Sequence, residues 1–180
     1  MQFRRLGLVL VALLIVLSSL AGCVAADNTG WPDREVKTDI DTALAAQDMA
    51  MAGAMMGSAT LSEAEFSSLV TYLAKQNAGG ALPVDEIKFW FEPDNKVFIE
   101  ATPSAGSMLA APVRAAGTLK VVDNMVQLDV TDAAVGGAAV YGPLLTVING
   151  AVNRALGDPS LGVAVNVATD TGTITLGLGQ

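Results

Sequence analysis

The chain has 180 residues, no histidine and one cysteine, Cys23. The side chains that most often act as base, nucleophile or metal ligand near neutral pH are therefore nearly absent. A lone thiol excludes an internal disulfide and any cysteine-based metal site. Three sets of residues keep some chemical capacity. Glu100, Asp123, Asp129, Asp132, Asp158 and Asp170 are carboxylates, and two of them in concert would make an acid and base pair. They fall in turns or on polar strand faces, where solvation is the usual reason, and no spacing selects two. Met49, Met51, Met55 and Met56 crowd into "MAMAGAMMGSAT". A thioether is a soft donor that suits Cu(I), but flexible apolar filler is the ordinary use of methionine. The third is Cys23, placed just after an apolar run. No glycine-rich turn follows a strand and opens a helix as a phosphate loop requires. The expectation is a non-catalytic protein with no cofactor and no resident metal.

The residues before Cys23 say what the thiol is for. Met1 to Arg5 carry two arginines, and Leu6 to Ala26 carry no charge. A basic start, an apolar core and small residues before a cut site describe an export signal, which plays no part in the mature fold. The apolar core from Leu6 to Leu17 is shorter than the roughly 20 residues a membrane span needs. The tetrad Leu20-Ala21-Gly22-Cys23 resembles the lipobox of bacterial lipoproteins. The resemblance implies that the signal is cut before Cys23, and that its thiol takes a diacylglyceryl thioether and becomes the acylated N-terminus. The competing reading is a plain signal anchor that stays in the membrane. Two or three acyl chains hold stably, at about 0.8 kcal/mol per buried methylene. The expected location is the cell envelope, lipid-anchored to the outer side of the cytoplasmic membrane or to the outer membrane.

Cutting before Cys23 leaves 180 − 22 = 158 residues, and the side-chain charge becomes 8 − 18 = −10. That length suits one domain with a proper core. The acidity, with no basic cluster, argues against nucleic acid and against charge-driven docking on anionic head groups.

The elements that position these residues follow from periodicity. Residues 1–22 are the signal, 23–32 the lipidated N-terminus and tether, 33–59 an N-terminal helix and methionine-rich segment, and 60–180 a single α+β domain. Trp31 in the tether touches either the domain or the lipid interface. Within Asp33 to Ala50, Val36, Ile40, Ala43 and Leu44 keep helical spacing. Thr60 to Gln76 is a second helix, with Phe66, Leu69, Val70 and Leu73 as its apolar stripe. A capping box of Ser62 with Glu65, or Thr60 with Glu63, opens it, and Asn77 to Gly80 stops it. From Pro83 the period becomes two. Ile87, Phe89 and Phe91 lead through "EPDN" to Val97 and Ile99, a hairpin. Val113 to Val122 and Met125 to Thr131 flank Asp123-Asn124 as a second hairpin. Ala133 to Tyr141 is a bulged strand or a crossover. Pro143 opens a further helix with Leu144, Ile148, Ala151, Val152 and Ala155 on one face. A last hairpin carries Val163, Val165 and Val167, then Ile174, Leu176 and Leu178. The fold class is α+β, an antiparallel twisted sheet of about six strands wrapped by two or three helices.

The first hairpin is apolar on both faces, with Trp90 and Phe98 opposite Phe89, Phe91, Val97 and Ile99. A sheet covered on one side normally shows polar residues on the other. Either a helix or the methionine segment covers the second face, or an apolar groove between sheet and helix holds an acyl chain. From Thr60 onward, about two thirds of the chain, the order of elements resembles the LmeA-like and YpmS-like exported bacterial proteins of tubular lipid-binding (TULIP) architecture. "LSEAEFSSLV" looks like their opening helix, "IKFWFEPDNKVFIEA" and "GTLKVVDNMVQLDVTDAAVGG" like their paired strands. "YGPLLTVINGAVNRAL" is similar to their Pro-led second helix, and "GTITLGL" to their closing strand. The resemblance implies a phospholipid or similar amphiphile bound in a curved sheet wrapped by a helix. The expected lining is Phe66, Val70, Leu73, Ile87, Phe89, Phe91, Val97 and Ile99, with the head group at a polar rim. The expected partners are the membrane, through acylated Cys23, and a lipid ligand. The alternative is a structural module with a closed core, recruiting an envelope protein through an edge strand or the Met108-Leu109 loop.

Overall fold

Asp39 opens the first helix. It sits in extended backbone (φ −152°, ψ 164°), and its carboxylate accepts the Thr42 amide at 2.8 Å, satisfying one free donor of the first turn. The helix, α1, is Ile40–Met56 and ends at Gly57, whose φ of 87° is the left-handed conformation that closes helices. In the computed structural model, the described residues are 30–77, 84–105, 111–140 and 164–178, with Thr146, Gly150 and Asn153, all three helical. They contain two long helices and eight strands. The export signal and Cys23, the Met108-Leu109 loop, Asp158 and most of the Pro143 helix lie outside the described residues. So do Val163 and the side chains of Val165 and Leu178.

After α1 comes β1, Ser58–Ser62, then α2, Glu63–Asn77. The capping box is the Ser62 and Glu65 pair. The Glu65 carboxylate accepts the Ser62 amide at 2.7 Å, and the Glu65 amide donates back to the Ser62 hydroxyl at 3.3 Å. Thr60 and Leu61, expected in this helix, instead form β1. Its partner is the chain's last strand, a pairing no local pattern announces.

The α+β class is as expected, with the strands divided between two antiparallel sheets. Five form a meander in the order β2-β3-β4-β5-β6: Val84–Glu92, Lys96–Pro103, Val113–Val122, Met125–Val135 and Ala138–Val140. Three form a smaller sheet in the order β1-β8-β7, with β7 at Ala164–Asp170 and β8 at Thr173–Leu178. The tight turns use residues that tolerate positive φ. Asp94 and Asn95 (64° and 59°) turn β2 into β3, and Asp123 and Asn124 (53° and 60°) turn β4 into β5. Gly136-Gly137 makes a further hairpin into β6, so the described part of the segment expected as a bulged strand or a crossover, Ala133 to Val140, is strand, turn and strand. A bulge after Ala116 shifts the β4–β5 register. At that bulge the backbones come so close that a Cβ on Gly117 would lie 2.3 Å from the Asp129 carbonyl oxygen.

The core fills the space between the inner face of the large sheet, α2 and the small sheet. Phe66, Leu69 and Val70 of α2 meet Phe89, Phe91, Val97, Ile99, Leu119 and Leu128 of the large sheet, and Leu61, Val167 and Ile174 of the small one. β2 is an edge strand, and α2 closes its edge with polar side chains. Glu63 accepts the Phe91 amide at 2.8 Å, Ser67 accepts the Phe89 amide at 2.9 Å, and Thr71 accepts the Ile87 amide at 3.0 Å. The spacing is a match of periods. Four residues of helix advance about 6.0 Å, and two residues of strand about 6.6 Å. A helical i, i+4, i+8 stripe therefore meets every second strand amide. On the other side of the sheet, Asn153 presents its side-chain amide to β5. It accepts the Leu128 amide at 2.6 Å and donates to the Leu128 carbonyl at 2.8 Å, taking the place of a neighbouring strand.

Candidate functional site

The eight residues expected to line a ligand groove come together in one cluster. Phe66, Val70, Phe89, Phe91, Val97 and Ile99 are buried, and Leu73 and Ile87 are partly buried against them. The Phe66 ring stands edge-on to Phe89 at 5.0 Å and to Phe91 at 5.3 Å, arrangements in which ring edge and ring face attract. The cluster has two unlike ends. At one, Phe91 and Val97 are fully buried beside Leu61 and Ile174. At the other, Leu73, Ile87 and Val135 are only partly buried. That end lies where α2 and β3 run on into residues 78–83 and 106–110, which are outside the described set.

Among the described residues, it is neither a helix nor the methionine segment that meets the second face of the hairpin. The N-terminal strap covers it. Trp31 lies on Trp90 at 5.9 Å and on Phe98 at 5.3 Å, centroid to centroid, and the Arg114 guanidinium stands 5.1 Å above its ring. Arg114 is held there by Glu100, its cross-strand partner, at 2.6 Å. The Trp90 indole N–H donates to the Arg34 carbonyl at 2.8 Å, so the one polar atom of a buried tryptophan is satisfied by the strap itself. Of the two readings of Trp31, contact with the domain is the one observed.

Beyond Trp31 the strap turns round the β2 edge and is fastened by Arg34. Its guanidinium donates to Glu63 Oε1 at 2.6 Å and Oε2 at 3.3 Å, to Glu92 Oε1 at 2.7 Å and to the Phe91 carbonyl at 3.1 Å. Glu63 is 7% exposed. It is tolerated there because the guanidinium fork and the Phe91 amide meet both carboxylate oxygens. The hydrogen bond to Glu63 raises the Arg34 pKa, against the opposing effect of burial and with further help from Glu92. The guanidinium thus stays charged at any working pH. Val36 is then buried, the Thr38 hydroxyl donates to Glu86 at 2.6 Å, and the Asp39 amide donates to the Ser68 hydroxyl at 3.2 Å. Asp39 itself is exposed, and the Thr42 backbone and side-chain hydrogen bonds lower its pKa.

α1 departs from the face expected of it. Val36 precedes the helix, and Ile40 and Leu44 are exposed, while Ala43, Ala46 and Gly53 are buried. The helix docks by its small residues because it lies so close to β1. A Cβ on Gly53 would fall 2.5 Å from the Ala59 Cβ and 2.6 Å from the Ser58 carbonyl oxygen. Met49, Met51, Met55 and Met56 are all exposed on it. At 100° per residue, Met51 and Met55 share a face, whereas Met49 and Met56 lie well round the helix, so the four sulfurs do not converge.

The five described candidate carboxylates do not form a pair. Glu100 binds Arg114, Asp129 pairs with Lys120 at 3.4 Å, Asp123 forms a turn, Asp170 accepts the Thr171 amide, and Asp132 is exposed. Among the described residues, no group of three or more Asp, Glu or Cys side chains is placed to hold a metal ion. Among them, too, no helix is long and apolar enough to cross a membrane. The polar stripe of Glu63, Ser67 and Thr71, the Arg34 fastening and the Asn153 edge contact escaped sequence reasoning. No protein-family model matches the chain, and neither a curated protein nor a solved structure matches it.

Proposed function

We propose that the chain is a lipid-anchored protein of the bacterial cell envelope, held by acylated Cys23, that binds one acyl chain of an amphiphile without catalysing a reaction. The observation that carries the proposal is the continuous apolar cluster between α2 and the five-stranded sheet, with its partly buried end at Leu73, Ile87 and Val135. An acyl chain entering there displaces water from these side chains and runs toward Phe89 and Ile99, leaving a polar head group outside. The affinity comes from burial, at about 0.8 kcal/mol per methylene. The order of elements from Thr60 onward, which resembles that of TULIP-type exported proteins, points the same way. The test is titration of the detergent-solubilised full chain with a fluorescent fatty acid. Saturable binding that is lost in Ile87→Asp supports the proposal, and no saturable binding rejects it.

A second reading keeps the anchor and gives the domain a closed core and a protein partner. It is favoured by the tight aromatic packing of Phe66 on Phe89 and Phe91. The edge of β2 does not serve as its docking strand, because α2 already bonds it. Binding of a fatty acid by the full chain decides between the two.

A further inference from the structure

Apolar exposure on this protein is concentrated on one helix. Of the seven large hydrophobic side chains exposed among the described residues, six belong to α1, the seventh being Met125. Ile40, Leu44, Met51 and Met55 fall within about 60° of one another on the helical wheel, and their exposures are 60%, 44%, 55% and 84%. From Met49 to Ser62 the chain carries no charge. A helix that turns Ala43, Ala46 and Gly53 inward and its methionines outward is built to meet an apolar surface.

We infer that this surface is the membrane leaflet that holds the acylated Cys23, and that the C-terminal half of α1 inserts Met51 and Met55 among the lipids. The inference rests on acylation of Cys23. The length of the tether then selects the occupant. From Cys23 to Trp31 there are eight residue steps, which span at most roughly 28 Å fully extended. Trp31 is packed on the domain, so the slack ends there. A domain of about 150 residues has a radius of gyration near 15 Å, roughly, so the tether is shorter than the domain is wide. The domain therefore stays close to the bilayer, where a rotation of the domain is enough to bring its exposed apolar helix onto lipid. With a mature side-chain charge of 8 − 18 = −10, attraction to head groups does not orient it. Apolar insertion of an uncharged helical segment does. Methionine suits the role, being flexible enough to fit a fluid surface.

Acylation consumes the only native thiol, so a single introduced cysteine is uniquely labelled. The experiment uses the full lipidated chain in phosphatidylcholine vesicles, with an environment-sensitive fluorophore on Met55→Cys or Met51→Cys. Asp94→Cys, in the β2–β3 turn, is the reference. The expected result is blue-shifted emission at Met51 and Met55, quenched by spin-labelled lipid and unchanged in 1 M salt, with the Asp94 label unaffected. Emission at Met51 and Met55 equal to that at Asp94 overturns the inference. So does a blue shift that spin-labelled lipid fails to quench, which assigns the face to a second copy or a protein partner. Failure of the anchor is read separately. An intact mass without acyl chains shows that Cys23 is not lipidated, and the inference then falls with its premise.

Discussion

Replacing Arg34 with methionine keeps the aliphatic stem and removes the guanidinium that fastens the strap. Its loss leaves Glu63, 7% exposed, with only the Phe91 amide as a partner, and leaves Glu92 with the Thr171 hydroxyl at 3.4 Å. Breaking a fully buried pair by removing one charge costs about 3–5 kcal/mol. Here the Arg34 side chain is 33% and Glu92 28% exposed, so solvent screens part of the loss, and about 2–3 kcal/mol is expected. The Phe91 carbonyl keeps the Gly172 amide at 3.1 Å, which limits the damage. In thermal unfolding of the full chain in mild detergent, followed by tryptophan fluorescence, Arg34→Met should lower Tm by about 5–10 °C. The double variant Arg34→Met/Glu63→Gln should recover part of that loss. The glutamine oxygen still accepts the Phe91 amide and no buried charge stands alone. Glu92→Gln should cost less than about 1 kcal/mol, being a more exposed pair. A shift under about 0.5 kcal/mol for Arg34→Met, or a double variant worse than the two single losses combined, would refute the reasoning.

Other outcomes follow from the same contacts. Trp31→Ala uncovers Trp90 and Phe98 and should destabilise by about 2–3 kcal/mol, with a red shift of the remaining tryptophan emission. Ser67→Ala with Thr71→Val leaves the Phe89 and Ile87 amides unbonded. It should cost about 1–3 kcal/mol for each amide left unbonded, and should promote self-association through the β2 edge, measured by light scattering. Gly53→Ala should destabilise, although alanine is the better helix former by about 1 kcal/mol, because its Cβ meets β1 backbone; chemical denaturation reads this. Asp39 has a lowered pKa in the folded protein, so its contribution to α1 is complete above its unfolded pKa, about 3.9. That contribution is lost as pH falls through the folded value. Circular dichroism from pH 6 to 2 should therefore show helix loss at the acid end that Asp39→Asn shifts or removes.

Features set by neighbouring residues were readable from sequence. The Ser62 and Glu65 capping box, the two hairpins turning on Asp94-Asn95 and Asp123-Asn124, and the α2 stripe through Phe66 and Leu73 all need only a few consecutive residues. The clustering of the eight apolar residues was legible for the same reason, since period two and period 3.6 each fix a face. Pairings over long separations were not. Ser58–Ser62 carries too few residues to declare a strand, and its partner at Thr173–Leu178 lies more than a hundred residues on. The orientation of α1 was misjudged because hydrophobicity implies burial, whereas close approach to Ala59 admits only glycine and alanine. Glu63, Ser67 and Thr71 look like an ordinary solvated face until the open β2 edge is set beside them.

The central claim is best tested by native mass spectrometry of the full chain extracted from membranes in mild detergent. The expected spectrum shows a covalent diacyl mass at Cys23 and, on the same ion, one non-covalent amphiphile that is lost in Ile87→Asp. An acylated chain that flies bare in both the native protein and the variant would contradict the binding claim. A chain with no acyl mass would contradict the anchor.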